Sequence, residues 1–335
     1  MSYRTGAAVT LGVAATIVLL GVGIAFAGLP DPDPDPDHEV FSPDEALSEP
    51  LPASGTVDPD PTVGDGSGVI VIDDSNANRF DRADVQPLAE ALSGVGYEVR
   101  FHATGDMDEA LADADGLVVI DPGSAYAGDD LAAVKEFVDG GGRLVILGEP
   151  NRISIAADLL GPALTEQESQ LTEIGGAFDL HFDTRYVYDQ TANDGTYQEI
   201  VVEPHEDAAL PPNDGTAIDE IDRVALQVAT EVRSTGGGEP MLVTSDQART
   251  AGEDDPRRHT VAVRDGDVLG VGDSSFLAAD RHNVADNEIL LASITEFLVS
   301  GDRVTGVPDE VGDGLDEGEE PDEPDPEEDP VQPPG

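Results

Sequence analysis

The chain has 335 residues, with 71 acidic and 16 basic side chains, a net charge of −55, a single lysine and no cysteine. Molar salt screens such self-repulsion, so this composition is typical of a protein from an extreme halophile, and the lack of a basic patch argues against nucleic-acid binding. Without cysteine the protein cannot form disulfides, a thiolate nucleophile, a Cys-ligated zinc site or a lipoprotein anchor on cysteine.

The amino-terminal segment 1–29 is predicted to be a membrane anchor. Residues 5–30 contain no charged side chain, and about 20 apolar residues span a bilayer. Arg4 precedes the segment and aspartates follow it, which places the amino terminus in the cytoplasm and the main domain outside the cell. The alternative is a cleaved signal peptide, because Ala25-Phe26-Ala27 has the form of a cleavage site. We expect a single-pass protein that contacts the membrane through residues 7–28.

Two acidic segments flank the predicted domain. Residues 30–67 hold 11 acidic residues, nine prolines and no basic residue, and residues 304–335 form a similarly acidic tail. Neither segment can bury enough apolar surface to fold, so both are predicted to be disordered. Proline and charge repulsion would keep the first one extended as a stalk. Residues 68–303, which lie between these two segments, are predicted to form the folded domain.

The first unit of this domain is predicted to be a buried strand, a polar loop and an amphipathic helix. Val69 to Ile72 form a continuous apolar run of β-branched residues, as in strands buried on both faces of a parallel sheet. Val85 to Leu92 have helical spacing of apolar residues. Pro87 suits the first turn of this helix, and Asp84 is a candidate N-cap.

Strands and helices continue to alternate, which predicts a mostly parallel α/β sheet with flanking helices. The next strands are predicted at 98–101, 116–121 and 143–147, and the helices at 107–114, 129–138 and 153–160. Residues 161–216 are interpreted as an irregular insertion with one or two strands. The remaining predictions are strands at 224–232 and 241–244, a hairpin of 260–264 and 268–271 around Asp265-Gly266, and a closing helix at 287–299.

Ligands of open α/β sheets bind outside the carboxyl ends of the strands, so the polar residues after each strand are the binding candidates. Asn76, Asn78 and Arg79 are the strongest, because amides and a guanidinium suit carboxylates or sugar hydroxyls. The alternative is that the asparagines stabilise a turn and Arg79 pairs with Asp81 or another acid. The full candidate set is Asp73, Asp74, Asn76, Asn78, Arg79, Asp121, Glu149 and Asp273.

No catalytic residues and no cofactor are assigned. The elbow-like position after the fourth strand is Gly148-Glu149-Pro150, which lacks a thiol, and no Gly-x-Ser-x-Gly motif occurs in the sequence. The histidines show no HExxH or paired spacing. The strand-end carboxylates could ligate Mg²⁺ or Ca²⁺, so a metal-dependent hydrolase is the alternative to a binding domain without catalytic activity.

Four segments over about residues 68–301 resemble the domain of unknown function 4350 family: IDDSNANRF, DGLVVIDPGSAY, VKEFVDGGGRLVILGEPNR, and VGDSSFL followed by DNEILLASITEFL. Proteins of this family are membrane-anchored, resemble class I glutamine amidotransferases in fold and have no established activity. Similar domains occur in auxiliary proteins of gliding-type ABC transporters. The resemblance implies a flavodoxin-like α/β core outside the cytoplasm and a role in a transporter- or envelope-associated complex.

Overall fold

The computed structural model describes residues 50–64, 66–158, 161–208, 220–301 and 303. The predicted anchor, the linker as far as residue 49 and the tail from residue 304 lie outside these ranges. Within the ranges, every helix falls short of the length and apolarity that crossing a membrane requires.

The described residues form strands and helices with the following bounds. The strands are β1 (Gly68–Asp73), β2 (Tyr97–His102), β3 (Gly116–Ile120), β4 (Arg143–Leu147), β5 (Arg152–Asp158), β6 (Gly161–Gln167), β7 (Leu180–Tyr188), β8 (Glu199–Pro204), β9 (Val224–Gln227), β10 (Thr230–Ser234), β11 (Glu239–Val243), β12 (Arg249–Thr250), β13 (Thr260–Asp265) and β14 (Val268–Val271). The helices are α1 (Gln86–Gly94), α2 (Met107–Leu111), α3 (Asp129–Asp139), α4 (Thr172–Gly176) and α5 (Asn287–Val299), with a 3₁₀ turn at Ser275–Leu277.

A nine-stranded sheet in the order β2-β1-β3-β4-β14-β13-β11-β8-β9 forms the centre of the domain. The first five strands in this order pair in parallel, and they have the strand order of flavodoxin-like folds with β14 as the fifth strand. The other four strands continue the sheet in antiparallel pairs. The predicted parallel α/β sheet with flanking helices is therefore confirmed for the first half, and an antiparallel half extends it.

Both faces of the parallel strands β1, β3, β4 and β14 are buried, which explains their apolar runs, whereas the edge strand β2 is only partly buried and carries Glu98 and Arg100. Along β1, Ile70 and Ile72 belong to one hydrophobic cluster and Val71 belongs to the other. The first cluster includes side chains of α1 and α5, and the second includes side chains of α2 and α3. Because successive residues of a strand point to opposite faces, a strand between two helical layers needs apolar residues at every position.

A smaller antiparallel sheet, in the order β10-β7-β12, lies beside the carboxyl end of β14. The Thr230 N–H donates to the Gly272 carbonyl at 2.7 Å, just after β14 ends. A β-carbon at Gly272 would lie 2.0 Å from the Thr230 carbonyl oxygen, so only glycine permits this approach. The small sheet is thus positioned next to the strand ends at which ligands of α/β sheets bind.

Several predicted elements are confirmed and others are wrong. The closing helix and the strand at 143–147 have the predicted bounds, and the hairpin of β13 and β14 turns at Gly266, which has a φ of 58°. The predicted helix at 153–160 is wrong, because Arg152–Asp158 pairs as an antiparallel strand with Gly161–Gln167. Its isoleucines favour a strand, and Gly161-Pro162 opens the partner strand instead of following a helix.

Two further local predictions are wrong for backbone reasons. The predicted strand 224–232 is divided into β9 and β10 at Val228, whose φ of 60° cannot continue a strand. The two halves then belong to different sheets. The N-cap of α1 is Val85 rather than Asp84, and the Asp84 carboxylate accepts the backbone N–H of Asp81. Pro87 does lie in the first turn of α1, as predicted.

The last part of the predicted linker, residues 50–64, contacts the domain and is called the strap below. Val63 is buried in the first hydrophobic cluster with 3% of its surface exposed. The Ser54 N–H donates to the Asn283 carbonyl at 2.8 Å, and the Asp60 N–H donates to the Glu296 carboxylate at 2.8 Å. Packed structure therefore begins before Gly68, the predicted start of the domain.

Candidate functional site

The loop after β1 is held by its own polar side chains. Asp73 is fully buried and accepts hydrogen bonds from Asn76 Nδ2 at 3.1 Å and from the Tyr126 hydroxyl. Burial and the neighbouring Asp73 carboxylate raise the pKa of Tyr126, which keeps its hydroxyl a donor. Asn78 accepts the Asn76 N–H at 3.0 Å and donates to the Ile120 carbonyl at 2.9 Å. Both asparagines therefore stabilise the loop, as in the alternative interpretation of the sequence.

Arg79 pairs with Asp121, which follows β3, and not with Asp81. Its Nε donates to Asp121 Oδ2 at 3.0 Å and its Nη2 donates to Oδ1 at 2.7 Å, a two-point arrangement that suits guanidinium and carboxylate. Asp121 is 1% exposed and has a φ of 35°, a strained conformation for a residue with a side chain. The positive φ at a strand end thus lies at Asp121 after β3, and not at Gly148-Glu149-Pro150, the elbow-like position after β4.

Glu149, which follows β4, is buried but faces a small cleft. Its Oε1 accepts hydrogen bonds from the Ser274 N–H at 3.1 Å and from Ser274 Oγ at 2.5 Å. Arg152 Nη2 lies 2.5 Å from Oε2, an ion-pair contact that does not have hydrogen-bond geometry. Burial and the nearby Asp273 carboxylate raise the pKa of Glu149 to about 8, although Arg152 and Ser274 act in the opposite direction.

Asp273 follows β14, the neighbour of β4, and completes the group of strand-end carboxylates. It is fully buried and accepts hydrogen bonds from the Ser275 N–H at 3.0 Å, from Ser275 Oγ at 2.8 Å and from the Gln227 N–H at 3.0 Å. Burial raises the pKa of Asp273. Glu149 and Asp273 therefore bind a proton more readily than isolated carboxylates do.

These residues border a cleft of about 220 Å³ at the carboxyl edge of the parallel strands. Its polar wall is formed by Arg79, Asp84, Glu149, Arg152, Gln227, Ser274 and Ser275. Its apolar wall is formed by Phe80, Val85, Ile120, Leu277 and Ala278. A larger groove of about 520 Å³ separates the strap from α1, but none of the strand-end carboxylates lines it. The smaller cleft is the better candidate site because the sheet places its buried ionisable groups there.

The structure divides the candidate residues predicted from the sequence into three groups. Arg79 and Glu149 line the cleft, and Asp121 and Asp273 hold residues of its wall. The three loop residues Asp73, Asn76 and Asn78 are bonded within the loop after β1. Asp74 is partly exposed and pairs with Arg82 at 3.1 Å, outside the cleft.

Sequence reasoning missed five polar residues of the cleft, namely Asp84, which was considered only as an N-cap, Arg152, Gln227, Ser274 and its neighbour Ser275. Ser274 directly follows Asp273 at a predicted strand end, so the rule that located Asp273 could have located it as well. Arg152 directly precedes the predicted helix at 153–160, which does not form. Gln227 was placed inside a single long strand, whereas it ends β9.

Metal binding was the basis of the alternative prediction. In the part of the chain that the structure describes, no three His, Asp or Glu side chains are grouped as ligands of a metal ion. Asp73, Asp121 and Asp273 instead accept hydrogen bonds from protein donors. The metal-dependent hydrolase stays a prediction that this arrangement does not favour.

No family model matches the sequence, and no curated protein matches it. Among solved structures, the mmIFT52 N-terminal domain is similar with a TM-score of 0.53 and 9% identity, over 70% of this chain and 98% of that chain. A ThuA-like protein from Bacteroides uniformis has a TM-score of 0.41 and 11% identity, over 75% and 96% of the two chains. A GMP synthase protein from Thermoplasma acidophilum has a TM-score of 0.35 and 10% identity, over 68% and 95%. At such identities, the first similarity supports the fold alone.

Proposed function

We propose that this protein is a ligand-binding domain that a single membrane anchor at residues 7–28 holds outside the cell. The observation that carries the binding function is the cleft at the carboxyl ends of the parallel strands, whose wall contains the buried carboxyl group of Glu149. Glu149 contacts Ser274 and Arg152 in the free protein, so a polar ligand in the cleft can exchange with those contacts. The cleft is smaller than the pockets of about 300–1,000 Å³ that hold drug-sized molecules, so the ligand is small.

The chemistry of the cleft supports binding without catalysis. The strained residue after β3 is Asp121, and Arg79 occupies both of its carboxylate oxygens. The hydroxyl of Ser274 donates to Glu149, a carboxyl group that also contacts Arg152. In the free protein these groups thus contact one another, and the sequence contains neither a cysteine nucleophile nor a Gly-x-Ser-x-Gly motif.

We infer further that the chain belongs to the domain of unknown function 4350 family and has a class I glutamine amidotransferase-like core. The four matching segments and the flavodoxin-like order of the parallel strands support this inference. In this proposal the domain serves a transporter- or envelope-associated membrane complex. Purification from membranes in mild detergent and molar salt should then recover defined partner proteins, and recovery of the protein alone would remove this part of the proposal.

The binding function can be tested by a thermal-shift screen of small metabolites against the purified protein in molar KCl. We expect at least one compound to raise the melting temperature of the wild type. Ala278→Trp, which places a large ring in the cleft, should abolish that shift, whereas Ala103→Trp at an exposed loop position should not. If no compound binds, or if Ala278→Trp binds as well as the wild type, the cleft is not the binding site.

The predicted topology can be tested by cysteine labelling, because the natural chain contains no thiol. Ser93→Cys adds a thiol to an exposed position of α1, and Ser2→Cys adds one on the predicted cytoplasmic side. A membrane-impermeant maleimide should label the first variant in intact cells and the second only after lysis. Equal labelling of both variants in intact cells, or labelling of neither, would contradict the proposed orientation.

A further inference from the structure

The hairpin of β5 and β6 forms a small sheet of its own. The two strands have seven residues each and pair in antiparallel register, and neither pairs with another strand in the part of the chain that the structure describes. An isolated two-stranded hairpin is at best marginally stable in water, whereas three or more strands with an apolar face are stable. The hairpin therefore has two free edges and lacks the further strands that would stabilise it.

The hairpin also exposes large apolar residues. Ile153 and Leu164 are each 75% exposed, and they are the two most exposed large apolar side chains in the described ranges. Leu164 is the register partner of Ile155, which lies two residues after Ile153, so the two exposed side chains lie on the same face of the hairpin. Exposed apolar residues that are neighbours on one face are typical of an interaction surface.

The two free edges differ in their protection against strand pairing. β6 contains Pro162, which has no N–H to donate, and the charged residue Glu166 inside the strand. β5 has no proline, and its charged residues are Arg152 and Asp158 at its two ends. β5 therefore provides the edge at which another strand can pair.

The sequence of β5, RISIAAD, is complementary to itself in antiparallel orientation. When Ile155 is opposite Ile155 of a second copy, Arg152 is opposite Asp158 and Ile153 is opposite Ala157. Unlike charges then meet at both ends, and a large residue meets a small one on each side of the centre. Pairs of these kinds stabilise neighbouring strands.

Two further observations are compatible with this register. Arg152 contacts Glu149 in the free protein, but its side chain is 47% exposed, and a guanidinium has more N–H donors than one carboxylate accepts. The net charge of −55 would repel a second copy in dilute buffer, whereas molar salt shortens the Debye length to about 3 Å.

We propose that β5 pairs with β5 of a second copy of this chain, which gives a symmetric dimer with a four-stranded sheet in the order β6-β5-β5-β6. The partner is a second copy because β5 itself has the complementary sequence. A twofold axis at Ile155 closes the assembly, and Pro162 and Glu166 in the outer strands disfavour the addition of further strands. This inference does not depend on the ligand of the cleft.

Cysteine cross-linking of the full-length protein in membranes tests the register, because the natural chain contains no thiol. Residues directly opposite each other in antiparallel strands have Cα atoms about 4.5–5.5 Å apart, a distance that a disulfide spans. We expect Ile155→Cys to form a disulfide-linked dimer under mild oxidation at least tenfold faster than Thr165→Cys, the control in β6. Ile153→Cys and Ala157→Cys should cross-link with each other when co-expressed, but neither should cross-link alone.

Charge exchange tests the two ends of the pairing. In the Ile155→Cys background, Arg152→Asp and Asp158→Arg should each slow cross-linking at least fivefold, because like charges then lie opposite each other. Co-expression of these two variants with different tags should restore the rate of the mixed dimer, in which every end pair has unlike charges. Glu173→Arg, at an exposed position of α4, makes the same change in charge as Asp158→Arg and should leave the rate unchanged.

Circular dichroism checks that each variant is folded, and Asp158→Arg with its control decides the question if Arg152→Asp does not fold. Equal rates for Ile155→Cys and Thr165→Cys would indicate random collisions and overturn the proposal. A disulfide to a different protein, or a rate that co-expression does not restore, would also overturn it. If Ile153→Cys does not cross-link with Ala157→Cys and reacts with an impermeant maleimide only after detergent is added, the hairpin lies against lipid and the dimer is wrong.

Discussion

Arg79 and Asp121 are joined by two hydrogen bonds of 3.0 and 2.7 Å, although they lie in the loop after β1 and at the end of β3. The Asp121 side chain is 1% exposed and that of Arg79 is 25% exposed, so removal of either partner leaves a poorly solvated charge. This pair fixes one side of the cleft and should be a principal source of its rigidity.

A double-mutant cycle should reveal strong coupling between these two residues. We expect Arg79→Gln and Asp121→Asn each to lower the free energy of unfolding by about 2–3 kcal/mol. The double variant should lose less free energy of unfolding than the two single variants lose together, and the difference is a coupling energy of about 1–3 kcal/mol. Urea unfolding in molar KCl measures these values.

The exposed pair of Arg82 and Asp74 is the control, and its coupling should stay below about 1 kcal/mol. Additive effects at Arg79 and Asp121 would show that the pair is not coupled.

Glu149 should make the protein less stable as the pH rises. Its pKa is about 8 in the folded protein, against an ordinary value of 4.5. The native state therefore binds more protons than the unfolded state between these values, and the free energy of unfolding decreases with rising pH across that window. Glu149→Gln removes the titration, so the variant should gain stability relative to the wild type, by roughly 4 kcal/mol between pH 5 and pH 9. Parallel pH profiles of wild type and variant in urea unfolding would contradict this prediction.

Glu231 in β10 should show the opposite pH dependence. Arg257 donates two hydrogen bonds to it at 2.8 and 2.9 Å, and His259 Nδ1 lies 3.4 Å away. Burial opposes the ionised form, but His259 and Arg257 together lower the pKa of Glu231 to about 2. Its contribution to stability is therefore complete above the ordinary value of 4.5 and is lost as the pH falls toward 2.

Glu231→Gln measures this contribution directly. The variant should be less stable than the wild type by about 3 kcal/mol at pH 7 and by about 1 kcal/mol at pH 3. Urea unfolding at both pH values provides the comparison. Glu239→Gln, which removes an exposed carboxylate of β11, should change stability by less than about 0.5 kcal/mol at either pH. If the difference in free energy of unfolding between the wild type and Glu231→Gln does not become smaller at low pH, the lowered pKa of Glu231 is refuted.

Val228 should be replaceable with a gain in stability. It has a φ of 60° between β9 and β10, a conformation that disfavours β-branched residues and that asparagine tolerates. We expect Val228→Asn to raise the free energy of unfolding by about 0.5–1 kcal/mol. Val201→Asn, in β8 with an ordinary strand conformation, is the control and should be destabilising. Loss of stability in both variants would mean that the burial of Val228 outweighs its strain.

Val63 tests whether the strap is part of the folded domain. It is 3% exposed in the first hydrophobic cluster, so Val63→Ala should lower the free energy of unfolding by about 1–3 kcal/mol. Thr62→Ala, an exposed neighbour, should change it by less than about 0.5 kcal/mol. Equal effects would indicate that the strap does not contribute to the core.

Local sequence patterns predicted the parallel half of the fold well. The strands β1, β3 and β4 are buried on both faces, so each one contains a continuous apolar run that can be recognised without knowledge of its neighbours. The helix at 287–299 was also predicted with its observed bounds, and 11 of its 13 residues are buried, so its sequence is largely apolar on every side. The burial of such elements can be inferred from their own sequence.

The cleft was predicted less well because its residues converge through long-range pairings. Arg152, which contacts Glu149, is the first residue of β5, and β5 pairs with β6 where the sequence favoured a helix. Gln227 reaches Asp273 only because Val228 ends β9 and turns the chain into another sheet. Local periodicity reveals neither the register of a hairpin nor a positive φ at a valine. Several residues of the cleft wall therefore could not be predicted from the sequence.

The strap joins the domain at separate points rather than along a continuous ladder. Ala53 forms an isolated bridge with Val284 through the bonds from Ser54 to Asn283 and from Ala285 to Pro52, and the N–H groups of Leu51 and Asp60 each donate one further hydrogen bond. Tension that arrives from the amino-terminal side would therefore break these bonds one after another, at a lower force than simultaneous rupture requires. The strap would lengthen under load before the parallel sheet is pulled, so the strand ends that form the cleft would be the last part to be disturbed.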